Sequence, residues 1–409
     1  MQTKQPTDFA LRFLLTCCRH HLAVNENFDV DFDDHTQLDS AQLIELIAQH
    51  RLFPVVYSAL TKIHPSLPSS FYDEIKNRTE KNRQRMMKLA GELLRIHELL
   101  QKENVGFISY KGPVMVHQIF SDFSQRQTRD LDILIHVSDL DKVIETLTKA
   151  GFVLLDEYFI KDTRNRDLYL LRENHVRFSI PGQHLVLEVH WALSKYFTTF
   201  NTEQIFQQTV SAYFLGKDFR ILPLHLLFVY LCAHGTYHKY ESLFWLFDIA
   251  WIIQKQNIDF SIILKEAEKL KCRQVVVSSI FLSHHFFNVS IPESFPEMNL
   301  QERFLFKQCK NEIEKQHLIA PGTRQKGVWN ILHQRMQWLL FQMFMTNDTK
   351  SRKRILFLKM IKPYVWDDAW KIPSNKLVYL LMTQIKWIGM LLKGKMRLSG
   401  KVVTSKKKN

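Results

Sequence analysis

The chain has 409 residues, 46% hydrophobic and 23% charged, with only 12 glycines and 12 prolines. This composition excludes a disordered chain and glycine- or proline-dominated architectures, and at roughly 150 residues per domain it makes room for two or three domains. The net charge of +14 is uneven: residues 351–409 carry 15 basic and 2 acidic groups, so an argument about an anionic partner concerns that tail.

The first hundred residues read as helices. Phe9 to His20 and Gln42 to Leu60 have apolar residues at helical spacing, the second interrupted at Pro54. Ser69 to Glu103 reads as one long helix with an apolar stripe from Met87 to Leu99. The texture changes at Val105. Phe107 to Tyr110 is a short strand, and Lys111-Gly112-Pro113 leads into a helix ending near Phe120, with Pro113 suited to its first position. A polar loop from Ser121 to Thr128 precedes a second strand, Leu131 to Ile135. Ser138 is placed to cap a helix from Asp139 to Ala150, which Gly151 ends. Phe152 to Leu155 is a third strand, and Tyr169 to Ile180 and Leu185 to Trp191 read as two more, joined by Pro181-Gly182-Gln183. From Pro223 onward the pattern is helical again.

The expected organisation is therefore α+β: a small mixed sheet inserted between helical regions. Its parts are an N-terminal helical region at 1–104, an α/β core at 105–220, a helical domain at 221–350 and a basic tail at 351–409. The five cysteines show no CxxC spacing and suit a reducing compartment. The start lacks the pattern of a signal peptide, and no run reaches 18 apolar residues. A cytoplasmic protein is expected.

Asp130-Leu131-Asp132 is the sharpest chemical feature. Residues i and i+2 of a strand face one side, so both carboxylates project together, roughly 7 Å apart at Cα. Such a pair suits Mg²⁺ or Mn²⁺, which keep part of their hydration and take further ligands from substrate phosphates. Lys111 and Gly112 lie between a strand and a helix, where free amides meet phosphate. Arg126 and Arg129 precede the pair, each able to hold a phosphate or a carboxylate. In Val186-Leu187-Glu188-Val189-His190-Trp191, Glu188 and His190 share one face. Glu188, set among apolar residues, needs a partner such as a metal or an arginine.

The segments YKGPVMVHQIF, RQTRDLDILI, a helix ending in KAGF, LEVHWAL and LCAHGTYHKYESLFWLFDIAWII, with the lead-in HRLFPVVYSAL, resemble the uncharacterised nucleotidyltransferase family. That family is often found near bacterial polysaccharide-synthesis genes and is a branch of the DNA polymerase β-like superfamily. The similarity covers roughly residues 40 to 255. It implies metal-dependent transfer of a nucleotidyl group from an NTP. By position, Asp130 and Asp132 hold the metals. Glu188 is the third acid and activates the acceptor hydroxyl, and Lys111 and Gly112 stand where the superfamily has a Gly-Ser phosphate loop. That pair is missing here, and the stretch from Gly112 to Asp130 is longer than the superfamily's. The alternative is thus a catalytically silent descendant that keeps the fold as a binding or scaffold module.

His234, His238 and Asp248 lie in the downstream helical segment and are candidates for the substrate side, as is His190. A buried Asp248 needs a partner. Cys17-Cys18-Arg19-His20-His21 is not read as a metal site, because adjacent residues on a helix do not converge. His175 and Arg172 lie before the final strand and can face the active site, with hairpin surface as the favoured reading. In the tail, Leu377, Leu380, Leu381, Ile385, Ile388 and Leu392 fall at helical spacing ahead of Lys406-Lys407-Lys408. Such a helix can lie on an anionic inner membrane face or pack on the body, and RNA is a third partner for the same charge. The acceptor candidates are a sugar phosphate, a glycan precursor, a protein side chain or an RNA end.

Overall fold

A computed structural model describes residues 6–23, 40–63, 67–161, 163–180, 182, 185–315 and 328–361. It is an α+β fold in which a seven-stranded mixed sheet is flanked by helices on both sides in the sequence. The strands are β1 (Phe107–Ser109), β2 (Asp130–Ile135), β3 (Val153–Leu154), β4 (His175–Ile180), β5 (Leu185–His190), β6 (Val210–Phe214) and β7 (Lys217–Ile221). Their spatial order is β3-β4-β5-β2-β1-β7-β6. The central strand β2 runs antiparallel to β1 and parallel to β5.

Register divides the sheet into two faces. On β2, Leu131, Ile133 and Ile135 point to one face, and β1 contributes Phe107 opposite Ile135 and Ser109 opposite Ile133. The long helix Ser69–Lys102 closes this back face. Its His97 ring lies 5.9 Å from Phe107 and 4.7 Å from Phe219, and its Leu89, Leu93, Ile96 and Leu100 are buried. The other face carries Asp130, Asp132 and Leu134 on β2, with Glu188 opposite Asp132 and His190 opposite Leu134 on β5. The helix Leu224–Tyr237 covers this front face. Tyr230 on it meets the Tyr110 ring edge-on at 5.3 Å. The apolar side of the sheet and the flanking helices share one continuous core that reaches from Phe9 to Met345.

The helices fall largely where apolar spacing puts them. Ser40–His50 and Phe53–Ile63 are split near Pro54, and Gly112, at φ 77°, caps Pro113–Phe120 with Pro113 in its first turn. Three elements differ from expectation. Tyr169 to Arg172 belongs to a helix, Thr163–Arg172, and the strand begins only at His175. Leu and Tyr at i, i+1 fit either element, and docking of the Tyr169 hydroxyl on the His175 carbonyl at 2.9 Å decides for the helix. Ser138 does not cap a helix: it lies in a 3-10 turn, Val137–Asp139, that runs into Leu140–Lys149 with no side-chain cap bond. The hairpin of β6 and β7 was not anticipated as strands. Its two-residue turn is Leu215-Gly216, both at positive φ as a right-twisted hairpin requires.

All five cysteines are buried free thiols. Among the described residues no helix is long and apolar enough to cross a membrane. The start of the basic tail is docked: in the helix Thr349–Ile361, Arg354 donates to the carbonyls of Lys195 and Leu171, and Ser351 bonds Thr198. The amphipathic stretch Lys376 to Lys393 and the terminal lysines lie outside the described residues.

Candidate active site

The front face of β2 and β5 builds a cluster of acids. Adjacent strands lie roughly 4.8 Å apart, so the register pair Asp132–Glu188 brings two carboxyl groups from separate stretches of chain side by side. Asp130 is two residues before Asp132 on the same face. Asp132 is 3% exposed and Glu188 24% exposed, so the cluster grades from the sheet interior to the cleft.

Like charges at this spacing repel, and the consequences are visible in the acid strengths. Burial, then the charges of Asp132 and Glu188, push the Asp130 carboxyl up to about 6. Burial also disfavours the Asp132 anion, but the Lys111 charge and the contacts with His190 outweigh it. Lys111 Nζ and His190 Nε2 each sit 3.1 Å from Asp132 Oδ1 and hold its carboxyl well below the usual range. The same contacts raise Lys111 and His190, overcoming the burial that works against each charged form. His190 Nε2 is also 3.2 Å from Glu188 Oε2, so one ring nitrogen ties the acids of both strands together.

Lys111 reaches Asp132 because it follows β1 directly. Its ammonium also lies 5.5 Å and 5.8 Å from the ring centres of Tyr110 and Tyr230. Gly112, next in the chain, adopts a conformation that L side chains rarely take. A Cβ there would stand 3.4 Å from the Leu131 side chain and 3.9 Å from the Asp130 carbonyl. The start of the Pro113–Phe120 helix is thereby drawn against the head of β2.

The other expected residues divide. Arg126 faces Asp248, with its Nε 2.8 Å and 3.0 Å from the two carboxylate oxygens, and its Nη1 donates to Thr128 at 2.7 Å. This answers the need of Asp248 for a partner and commits Arg126 to an internal carboxylate rather than an open phosphate seat. Burial still pushes Asp248 up to about 6 against the pull of Arg126. Arg129 acts on the neighbouring Arg51 through like charge and is itself exposed. His234 and His238 line the front helix. His238 stacks on Trp245 at 4.9 Å, and His234 on Tyr230 at 5.8 Å. Burial and the Lys111 charge keep both neutral, His238 near 4.

Of two further residues near the acids, one was not expected there and the other was set first on the hairpin surface. Arg51 holds a left-handed turn, φ 56°, between the second and third helices. It lies over the Phe244 ring at 5.1 Å and senses the charges of Arg129, Asp130 and Arg126. Its position in HRLFP gave no chemical signal, because nothing local ties a helix–helix turn to a strand some eighty residues on. His175 is the second. Instead of hairpin surface, it stands opposite His190 in the β4–β5 register, ring centres 4.8 Å apart, with its Nε2 4.0 Å from Glu188 Oε1. The cue was there: His175 begins the strand whose partner carries LEVHW.

The donor set suits a divalent cation. Three crowded carboxylates, one of them driven toward neutrality by burial and by the others, gain most from added positive charge. His175, Glu188 and His190 also present three ligand atoms within 4.8 Å of one another.

A family model described as uncharacterised nucleotidyltransferase matches residues 36–288, more than half of the chain. No curated protein matches. The crystal structure of JHP933 from Helicobacter pylori is similar at 15% identity, covering 64% of this chain and 98% of that one with a TM-score of 0.26. Matched across the acid-bearing strands and the helices that cover them, the chain belongs to the uncharacterised nucleotidyltransferase family.

Proposed function

We propose that this chain transfers a nucleotidyl group from an NTP to an acceptor in a reaction that depends on Mg²⁺ or Mn²⁺. The observation that carries the reading is the meeting of Asp130 and Asp132 with Glu188 on one sheet face, opposite each other in register, beside Lys111. Asp130, Asp132 and Glu188 would hold the cation, which supplies positive charge to the reacting phosphate and the departing pyrophosphate. Lys111, released from Asp132 when a cation neutralises that acid, offers its ammonium to a phosphate at the mouth of the site. The Gly112 turn supports this, since it packs the start of the Pro113–Phe120 helix against the head of β2, close to the Asp130 backbone. Arg51 and Arg129 add positive charge next to Asp130. His190 fixes the orientation of Asp132 and Glu188, and the Tyr230, His234, His238 and Trp245 rings give flat surfaces on which a base or another planar group can stack. A sugar phosphate, a glycan precursor, a protein side chain and an RNA end all remain candidate acceptors. Association of the basic tail with an anionic membrane surface belongs to the same proposal.

Thermal shift with each of the four NTPs and Mg²⁺ tests the reading. Wild type gains stability as ligand exceeds Kd, by about 2.7 kcal/mol at a hundredfold excess, and an Asp130→Ala/Asp132→Ala variant does not. Equal shifts in both proteins would favour the silent scaffold instead. Labelled transfer from each NTP into total cell extract then reports base preference and acceptor class.

A further inference from the structure

We propose that His175 and Glu188, with His190, form a nitrogen-and-oxygen site for a divalent cation of borderline softness, such as Zn²⁺ or Co²⁺, beside the aspartate pair. It deepens the transferase reading and rests on it only for the neighbourhood in which the site lies. The argument begins at Asn174, just before β4. Its amide nitrogen donates to the Ala192 carbonyl at 2.9 Å, which fixes which end of the amide is which. The amide oxygen then faces His175 Nδ1 at 3.2 Å, and two acceptors cannot share that contact, so Nδ1 carries the hydrogen. In a neutral ring the lone pair is left on Nε2.

That lone pair faces Glu188 Oε1 across 4.0 Å, beyond hydrogen-bond reach. Two electron-rich atoms thus point into one space with no hydrogen between them. On the third side, His190 Nε2 gives its hydrogen to Asp132 Oδ1 and Glu188 Oε2 at 3.1 Å and 3.2 Å, and a cation would take the place of that hydrogen. The three ligand atoms lie within 4.8 Å of one another, and bonds of about 2.0–2.2 Å to one metal draw them in by a few tenths of an ångström each. Asn174 orients the His175 ring in the way outer partners of metal-bound histidines do, whereas its Nδ2 lies 3.3 Å from His190 Nδ1, so binding through His190 Nε2 moves that ring's hydrogen to Nδ1 and opens the Asn174–His190 contact. Imidazole donors favour Zn²⁺ and Co²⁺ over Mg²⁺, whereas the Asp130–Asp132 pair is an all-oxygen set that suits the harder ion. The chain then holds two adjoining cation seats of different character, sharing Glu188.

Chelator-treated full-length protein titrated with Co²⁺, without nucleotide, tests this. Wild type should bind one equivalent with the visible spectrum of nitrogen- and oxygen-ligated Co²⁺, displaced by Zn²⁺ and not by a large excess of Mg²⁺. A thiolate charge-transfer band would assign the metal to a cysteine and overturn the proposal. His175→Ala and His175→Gln should both weaken binding by more than the about 10–100-fold typical of losing an outer partner, and Asn174→Ala by about that amount. Far-UV circular dichroism on each variant verifies folding, and the glutamine variant covers the case in which alanine does not fold. Co²⁺ binding by either folded His175 variant as tight as wild type would refute the site. Wild type that responds to Mg²⁺ and NTP but not to Co²⁺ loses this site and keeps the transferase reading; the reverse pattern keeps the site and removes that reading.

Discussion

The Arg126–Asp248 pair fixes the approach to the acid-bearing strand β2. Asp248 is 1% exposed and Arg126 9%, and the guanidinium also lies 4.5 Å over the Phe244 ring. The pair joins the loop before β2 to the helix Leu243–Lys255. Asp248→Leu would leave a buried guanidinium with Thr128 and an aromatic face as its remaining partners. Breaking a buried pair in this way costs about 3–5 kcal/mol, and the remaining partners put the expected loss near 3 kcal/mol. With an unfolding entropy of about 2.1 cal/mol/K per residue, a chain of 409 residues loses about 1.2 °C per kcal/mol, so the melting point should fall by about 4 °C. Arg126→Met should cost less, because burial already pushes the Asp248 carboxyl up to about 6 and a proton can neutralise it. The double variant Arg126→Met/Asp248→Leu removes both charges, and its stability should come back to within about 1 kcal/mol of wild type. Differential scanning calorimetry gives the shifts, and amide exchange across residues 121–129 shows whether the loop has loosened. A double variant at least as unstable as Asp248→Leu would refute the reasoning, for then the two side chains act through packing and not through each other.

Three further outcomes follow from the same contacts. Gly235→Ala should destabilise by about 1–3 kcal/mol despite the better helix propensity of alanine, because the new Cβ would stand 2.2 Å from the Tyr240 ring; a melting point at or above wild type would show that the ring moves freely. Stability should fall as pH drops from 6.5 toward 4, because His21 is held near 4 by burial and by lysine charge while its unfolded form titrates near 6.5. The unfolded state binds the proton first, so the contribution is complete above 6.5 and lost on acidification, and His21→Gln should flatten the pH dependence of the denaturation midpoint. Arg51→Gln should weaken Mg²⁺–NTP binding by about tenfold or more, the worth of a charge-assisted contact, and binding unchanged by calorimetry would remove Arg51 from the site.

The sequence made the acid-bearing strand legible because strand geometry is local. Asp130-Leu131-Asp132 can face one way only in pairs, and Glu188 and His190 obey the same alternation. The Gly112-Pro113 helix start was legible for the same reason. What stayed hidden depends on register and on packing between distant segments. His175 meets Glu188 because β4 returns antiparallel to β5, and a helix beginning at Thr163 set where that strand starts. Arg126 was read with both of its possible partners, and the choice of Asp248 needed a helix over a hundred residues away. The β6–β7 hairpin carries alternating residues, but its turn, Leu215-Gly216, lacks the asparagine or aspartate that marks such turns in sequence.

The missing Gly-Ser pair bears on how this site is built. A glycine-rich loop holds phosphate with backbone amides, which are fixed in place and carry no net charge. Here one glycine bends the chain, and the other groups around the acids are side chains: Lys111 from the end of β1, Arg129 from the head of β2 and Arg51 from a helical turn outside the sheet. Side chains of this kind serve two states. Lys111 neutralises Asp132 and His190 hydrogen-bonds it when nothing else does, and they are the groups a cation and a phosphate would displace or recruit. A buried acid left without them would lose the strong hold that keeps it ionised, and a protonated Asp132 is a poor ligand for any hard ion. The cationic side chains therefore maintain the acids in the form the chemistry needs, a task that a loop of neutral amides would leave undone.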